Sequence, residues 1–412
     1  MNCRICDGQH LVQMHDFGNM PVAGYLVETV AQALAAERFQ SRLVFCEACG
    51  LAQQYGDAFK GVLIKNVYSN YRPTYSMSSK VRDYMSIFIS EALAFVDEIG
   101  RNDIVLEIGS NDGSMLDLLR SQGFRPAGID PSAQASDGRD DAIVIRDFFS
   151  KEVAIKFAET YGKVKLLYSR HTLEHVFEPL GFVEAIGLLL DDNGVAVVEV
   201  PYLPAQLNGN QFAAMTFQHI SFFTLTSLKR LAEICGLIIV NAKISKMDGG
   251  SIILILAKSS RAAPFDTRMA EGLMELERAT GVNEARGLLT RFEDIGQAVS
   301  LIRDHVSKLR EKSYRIVGYG AGAKGQALLN MVGLSRDIVQ CVVDDTPGSK
   351  GMYVPGVGTE VVDSTDPRLA DADIVLITAP THVEEIVTKE LAKHPTTSFI
   401  RTSPELSYVS NL

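Results

Sequence analysis

The 412-residue chain is short of positive charge: 40 lysines and arginines face 50 aspartates and glutamates, for a formal net charge of −10. No basic block stands out to neutralise phosphates, which argues against a nucleic-acid partner. Long apolar runs are lacking as well. Runs such as residues 252–257 fall far short of a bilayer core of about 30 Å. The opening MNCRICDG contains no apolar signal-peptide core. The expected location is therefore the cytoplasm, with no membrane partner. Cysteine is scarce, and six in this length do not make a disulfide framework. What remains, 46% hydrophobic and 22% charged, is an ordinary globular composition with room for about two or three domains.

Four of those six cysteines are nevertheless paired. Cys3-x-x-Cys6 and Cys46-x-x-Cys49 form two knuckles separated by a long insert. Each can place two thiolates on one face of a tight turn, and two such turns complete a tetrahedron around zinc. The plainer alternative is four buried or redox thiols. Four protein ligands leave no open position, so such a zinc would be structural, stapling a segment too short to bury a sufficient core alone. His10 and His15 nearby read as surface or loop residues.

The chain is organised around Val105-Leu-Glu-Ile-Gly-Ser-Asn-Asp-Gly113. It reads as a buried strand entering a glycine-punctuated turn, with helix-compatible sequence over 114–119 behind it. Glycines let backbone approach a ligand closely and take positive φ, and the helix N-terminus behind them offers free N–H groups, which suits a nucleoside cofactor. The next strand, 126–130, ends in Asp130, placed to bond a ribose hydroxyl pair. From about residue 79 to 258 helical and strand patterns alternate. Strands are expected at 104–108, 126–129, 141–145, 164–168 and 194–201, with a closing pair at 236–244 and 251–257 and a helix at 84–96. That describes an α/β fold with a doubly wound sheet, putting Glu107, Asp130, Asp147 and the segment after Tyr168 along one rim.

Two histidine segments meet that rim. Ser169-Arg-His-Thr-Leu-Glu-His175 carries histidines four apart, and a helix starting there would turn His171 and His175 toward one cleft. The alternatives are packed rim histidines or a metal site, which would need a third ligand. Thr216-Phe-Gln-His-Ile-Ser-Phe-Phe-Thr224 sets His219 among aromatics in a loop. It suits a general base, since imidazole titrates nearest neutrality, or equally a histidine satisfied within the core. Residues 67–80, VYSNYRPTYSMSSK, read either as a packed interdomain loop or as a cleft wall that orients a polar substrate.

Beyond a polar break at 259–264, residues 265–312 read as two or three amphipathic helices that brace the domains. A strand at 314–319 then leads into Gly320-Ala-Gly322-Ala-Lys324-Gly325 and a helix over 326–332, a second phosphate-type loop. Strands follow at 339–343 and 373–379. The bare motif would also suit a nicotinamide-dependent oxidoreductase, or a Rossmann-like domain that only packs.

Taken together, CRIC with CEACG, LEIGSNDG, TLEH, FQHISFF, GYGAGAKG and DDTPGSKGMYVPG resemble the sugar C-methyltransferase family, in that family's order over nearly the whole chain. The resemblance implies a zinc-binding domain (1–66), a class I methyltransferase domain that uses S-adenosylmethionine (67–258), a helical linker (259–312) and a Rossmann-like domain that takes the nucleotide-sugar (313–412). It implies that Glu107, Gly109, Asn111, Asp112 and Gly113 hold the cofactor, with His171 nearby, Asp130 on its ribose, and Asp147 and Phe148 near the adenine. Tyr71 would reach the sugar. His219 would be the base, with His175 close by and Gln218 bonding a sugar hydroxyl. Gly320, Gly322 and Lys324 would meet the pyrophosphate of a TDP-, GDP- or CDP-sugar.

The implied reaction is methyl transfer to C3 of a 4-keto-6-deoxy sugar, with a monomer as the expected state. Two departures stand out. Thr216-Phe-Gln218-His219 replaces an expected Tyr-x-Glu-His, and Asp248 stands where a histidine would precede the glycine pair. A different keto-sugar is the simplest reading. Methylation at oxygen or another carbon, or a nucleotide-sugar-binding protein without turnover, are the alternatives.

Overall fold

The computed structural model of the chain describes residues 1–68, 79–96, 98–132, 142–261 and 265–409. Tyr71 lies outside the described residues.

Strands β1 (Leu11–Pro21), β2 (Arg38–Cys46) and β3 (Ala52–Gln54) form an antiparallel sheet. The second cysteine knuckle is the turn between β2 and β3. Cys46 N–H donates to the Leu51 carbonyl, and Gly50 N–H donates back to Cys46. Gly50 takes a φ of +75°, which is why glycine suits the position just after the last thiol. A two-residue strand from far along the chain, Ser221–Phe222, joins the free edge of β3, with Ala52 opposite Phe222 and Gln53 opposite Ser221.

The central sheet holds β4 (Ile104–Ile108), β5 (Arg125–Ile129), β6 (Ile143–Ile145), β7 (Val164–Arg170) and β8 (Leu190–Pro201), all parallel. With Ser221–Phe222 numbered β9, the sheet is completed by β10 (Leu237–Ser245) and β11 (Ser251–Lys258), β11 running antiparallel to both neighbours. Its order is β10-β11-β8-β7-β4-β5-β6. The strands are continuous apolar runs because both faces are covered. Leu106, Leu167 and Ala196 enter one core, while their chain neighbours Val105, Tyr168 and Val197 enter the other. The order reverses between β4 and β7, and such sheets bind ligands outside the carboxyl ends of the strands at that reversal.

Two helices rather than three, Arg268–Thr280 and Ala285–Glu311, follow this sheet. The second buries Leu288, Phe292, Ile295, Val299, Ile302, Val306 and Leu309. That alternating spacing of four and three keeps one stripe facing inward. The core it enters is continuous from Leu43 and Phe45 of the first sheet, through Phe217, to Ile316 and Leu376 of the third.

The third sheet comprises β12 (Ile316–Tyr319), β13 (Cys341–Val343), β14 (Glu360–Val362), β15 (Ile374–Ile377), β16 (Ser398–Arg401) and the antiparallel edge β17 (Ser407–Val409). Its order, β14-β13-β12-β15-β16-β17, sets a second reversal beside the Gly320–Gly325 loop.

The structure revises one boundary that matters for the site. The strand expected to end at Tyr168 runs on to Arg170, because Arg170 stays in register with Glu199 on β8 and its Nε donates to Glu199 Oε2 at 3.0 Å. No helix begins at His171. It takes a left-handed φ of +47° and leads into a short 3-10 turn, Leu173–His175.

Candidate active site

Strand β4 delivers Glu107 to the reversal point. Gly109 follows at φ +79°, where a Cβ would stand 2.2 Å from Thr172 Oγ1, so glycine is required. Asn111 and Gly113 are also left-handed, at φ +45° and +72°, and Gly113 caps the helix Ser114–Ser121. Asp130 braces this loop. One of its oxygens accepts Asn111 N–H at 2.9 Å and the other accepts Ser132 N–H at 2.7 Å. Asp112 accepts from the N–H and hydroxyl of Ser114 at 3.0 and 2.6 Å. Glu107, Gly109, Asn111, Asp112, Arg170 and His171 line one cavity, with Met85 and Met115 as its apolar wall. Glu107 Oε2 is buried with no hydrogen-bond partner among the described residues. Burial pushes the Glu107 carboxyl up to about 8, opposed by the Arg170 guanidinium.

Asp147 and Phe148, expected near the adenine, are not among the residues that line this cavity. They follow β6, two strand spacings or about 10 Å from β4, and Phe148 is 46% exposed. A sequence reading treats all strand ends as one rim, whereas strand order sets their distance from the reversal.

Behind the cavity lies a buried network that the sequence analysis missed. Arg170 Nε is paired with the wholly buried Glu199, whose other oxygen accepts the Tyr84 hydroxyl at 2.5 Å. The guanidinium packs over the rings of Tyr84 and Phe88, 5.4 Å from each centroid. The available signal was a buried charge at the carboxyl end of each of two apolar strands, Arg170 in VKLLYSR and Glu199 in VAVVEVP.

The histidines converge on Glu174, which is 2% exposed. His171 Nδ1 stands 3.4 Å from Glu174 Oε1, and His175 Nε2 stands 3.8 Å from the same atom. His175 Nδ1 lies 2.8 Å from the Gln218 carbonyl oxygen. A carbonyl only accepts, so Nδ1 carries the hydrogen. The Tyr68 hydroxyl donates to that carbonyl at 3.2 Å. The rings of His175 and His219 meet edge to face, 5.1 Å between centroids. Burial, and then the neighbouring His175, lower His219 to about 3. Burial disfavours charge on His171, but the Glu174 carboxylate outweighs it and raises His171 above its ordinary value.

Gln218 behaves differently from the sugar contact expected of it. Its Nε2 donates to the Ala23 carbonyl at 2.9 Å, over Gly24, where a Cβ would fall 1.7 Å from that nitrogen. The backbone carbonyl of Gln218, not its side chain, meets His175. Gln218→Glu should therefore destabilise the protein by about 1–3 kcal/mol, since an ionised carboxylate cannot donate to Ala23. Thermal unfolding checks this, and an unchanged midpoint would rule the bond out as a contributor.

Across the cleft, Gly320 (φ +110°) closes on Ala379, whose Cβ would lie 2.5 Å from an added Cβ, whereas a Cβ on Gly322 would meet nothing within 4 Å. Lys324 Nζ donates to Asp248 Oδ1 at 2.5 Å and to its carbonyl at 3.2 Å. Burial opposes the charge on Asp248, but Lys324 outweighs it and holds the carboxyl down to about 2. The lysine of the second glycine loop is thus bound to the residue that departs from the expected histidine.

In the N-terminal unit the Cys3 and Cys49 sulfurs are 3.4 Å apart and those of Cys6 and Cys46 3.5 Å apart, with all four within 4.8 Å of one another. Zinc–sulfur bonds of about 2.3 Å give a tetrahedral edge of about 3.8 Å, so the set fits. The Cys49 thiol donates to Cys3 and lowers it to about 5, while burial and the charge on Cys3 raise Cys46 to about 11. All four sulfurs could be thiolates together only with a cation among them.

Three family models match successive parts of the chain. A zinc-binding domain model matches residues 3–56, a methyltransferase domain model 77–242, and a C-methyltransferase C-terminal domain model 246–404. C-methyltransferase NovU of Streptomyces niveus is 30% identical over 393 residues, covering 94% of this chain and 91% of that protein. The chain belongs to the sugar C-methyltransferase family. Among solved structures, a SAM-dependent methyltransferase of Anabaena variabilis aligns over 48% of this chain and 91% of its own, at 13% identity and a TM-score of 0.37. The Burkholderia thailandensis 1,6-didemethyltoxoflavin-N1-methyltransferase aligns over 50% and 95%, at 15% identity and a TM-score of 0.37. Membership of the family accounts for the α/β class of the central sheet as a class I methyltransferase fold. No described helix is long and apolar enough to cross a membrane.

Proposed function

We propose that this chain transfers the methyl group of S-adenosylmethionine to C3 of a nucleotide-linked 4-keto-6-deoxy sugar. One juxtaposition carries the reading: an imidazole cluster, His219 with His175 over Glu174, adjoins through His171 the cavity of a strand-end glycine loop. Glu107, Gly109, Asn111, Asp112, Gly113 and His171 would hold the cofactor, with Asp130 fixing the loop. The unpartnered Glu107 Oε2 suits a hydroxyl. When bound, the cofactor supplies an electrophilic methyl group.

The chain supplies the nucleophile by removing a proton. Carbon becomes nucleophilic only after losing a proton next to a carbonyl, and a neutral His219 can accept it. The hydrogen bond from His175 Nδ1 to the Gln218 carbonyl fixes the neighbouring ring, and donors lining the cleft would stabilise the resulting enolate oxygen. Gly320, Gly322 and Lys324 would take the pyrophosphate of a TDP-, GDP- or CDP-sugar, Lys324 exchanging Asp248 for phosphate. One chain carries every part, so a monomer suffices.

The test is incubation in deuterated water with S-adenosylmethionine and a panel of TDP-, GDP- and CDP-4-keto-6-deoxy sugars, read by mass spectrometry and NMR. A methylated product that has lost its C3 proton is expected. Methylation at oxygen would overturn the carbon assignment. Cofactor binding with neither exchange nor methylation across the panel would overturn turnover of this substrate class.

A further inference from the structure

Glu174, His175 and His219 also carry a chemistry that proton transfer does not need. One donor atom from each lies within 4.8 Å of the others. Both Glu174 oxygens are buried with no hydrogen-bond partner among the described residues, and so is His219 Nδ1. A carboxylate this deeply buried ordinarily accepts several hydrogen bonds, and leaving it without them is costly. The flanking imidazole nitrogens, at 3.4 and 3.8 Å, stand too far off to supply them.

We propose that these three side chains form a divalent-cation site of the two-histidine, one-carboxylate type, separate from the four-cysteine cluster and suited to zinc or cobalt. The surroundings of His175 point the same way. Ligating histidines almost always give their other ring N–H to a carbonyl or carboxylate, which fixes the tautomer. His175 does so, its Nδ1 bonded to the Gln218 carbonyl at 2.8 Å, and this turns the Nε2 lone pair toward Glu174. The Tyr68 hydroxyl holds the same carbonyl at 3.2 Å, and His171 Nδ1 backs the carboxylate from outside the triad. Nitrogen and oxygen ligands of zinc, at about 2.0–2.2 Å, lie about 3.4 Å apart in a tetrahedron, so modest side-chain rotations close the set. The charge balance favours a cation too, since Asp248 is already paired with Lys324 and the buried Glu174 meets no lysine or arginine among the described residues. A tetrahedral ion would keep one position for water. Coordination engages His219, so metal binding and proton abstraction exclude one another; that consequence rests on the function proposed above, whereas the binding itself does not.

The test uses full-length protein, zinc chloride and cobalt chloride, with no substrate. After equilibration with excess zinc and removal of free ion, elemental analysis is expected to find two zinc ions per chain in the native protein and one in His219→Ala and Glu174→Gln. With cobalt, the four-cysteine site gives thiolate-to-metal charge-transfer bands that must persist in both variants if they are folded. The second site gives a visible band without thiolate character that both variants lose. One ion per chain in the native protein overturns the proposal. So does a second ion retained by both variants, which would lie elsewhere. Failure of the methyl-transfer assay leaves these stoichiometries untouched, so the two readings fall separately.

Discussion

His219→Ala is expected to slow methyl transfer by about 10²–10⁴-fold, the range that a positioned general base contributes, while cofactor affinity stays within about twofold of the native value. The separation follows from position. His219 lies in the segment before β9 and is not among the residues lining the Glu107 cavity. Turnover and calorimetric titration with S-adenosylmethionine read the two effects independently. Native turnover in the variant would end the assignment of His219 as the base. A large loss of cofactor affinity would instead make it a wall of the cofactor site.

The same residue sets a pH dependence. A base works only when unprotonated, so kcat/KM falls as pH drops through its pKa. Burial and His175 bring His219 down to about 3, from an ordinary 6.5. The acid limb attributable to this group should therefore be missing between pH 7 and pH 5, the interval over which a free imidazole becomes largely charged. Substrate should change this. Lys324 lowers His219 further, and Asp248 raises it. A phosphate that draws Lys324 off Asp248 removes a positive charge and frees a negative one near the imidazole. Both strengthen the base. The acid limb of kcat, which reports the bound enzyme, should then lie at higher pH than that of kcat/KM, which reports the free enzyme. Coincident limbs would show that Lys324 stays on Asp248 throughout.

What could be read from the sequence was local. The Cys-x-x-Cys pairs, the Glu107–Gly113 turn and the Gly320–Gly325 loop announce themselves because each packs its chemistry into a few consecutive residues. The alternating apolar runs identify the strands for the same reason. What escaped was set by contacts between distant residues. Arg170 meets Glu199 29 positions away, Lys324 meets Asp248 76 away, and Gln218 meets Ala23 195 away. Gln218 shows the consequence. Its neighbour His219 suggested a residue facing the sugar, but the side chain is held by the N-terminal unit. The sharp turn at His171 escaped for a different reason. A left-handed backbone at a non-glycine residue is not legible in the sequence, which left a helix start open at a place where the chain turns sharply.

Cys46→Ser is expected to release the metal and to loosen the candidate base, although no thiol touches it. Structural zinc contributes an apparent 10–16 kcal/mol or so in isolated zinc-finger units. Here part of that is shared with a real core, since Leu43 and Phe45 of β2 are buried with Phe59 and Phe217. The loss should still lower the unfolding midpoint markedly. The coupling to the site runs through β3, which the second knuckle joins to β2. Gln54 N–H donates to the Ile220 carbonyl at 2.9 Å, Gln54 Nε2 donates to the Thr216 carbonyl at 3.2 Å, and Ala52 pairs with Phe222. With Gln218 tied to Ala23, the segment that carries His219 is pinned on both sides by the four-cysteine unit. Metal loss should therefore speed amide hydrogen exchange across residues 216–222 and lower turnover at temperatures where the central sheet is still folded. A metal-free variant with native melting and exchange would show that the four thiols do not staple this unit. A variant that melts early but keeps native exchange and turnover would show that β3 holds its register without zinc, leaving the base to be positioned from the central sheet alone.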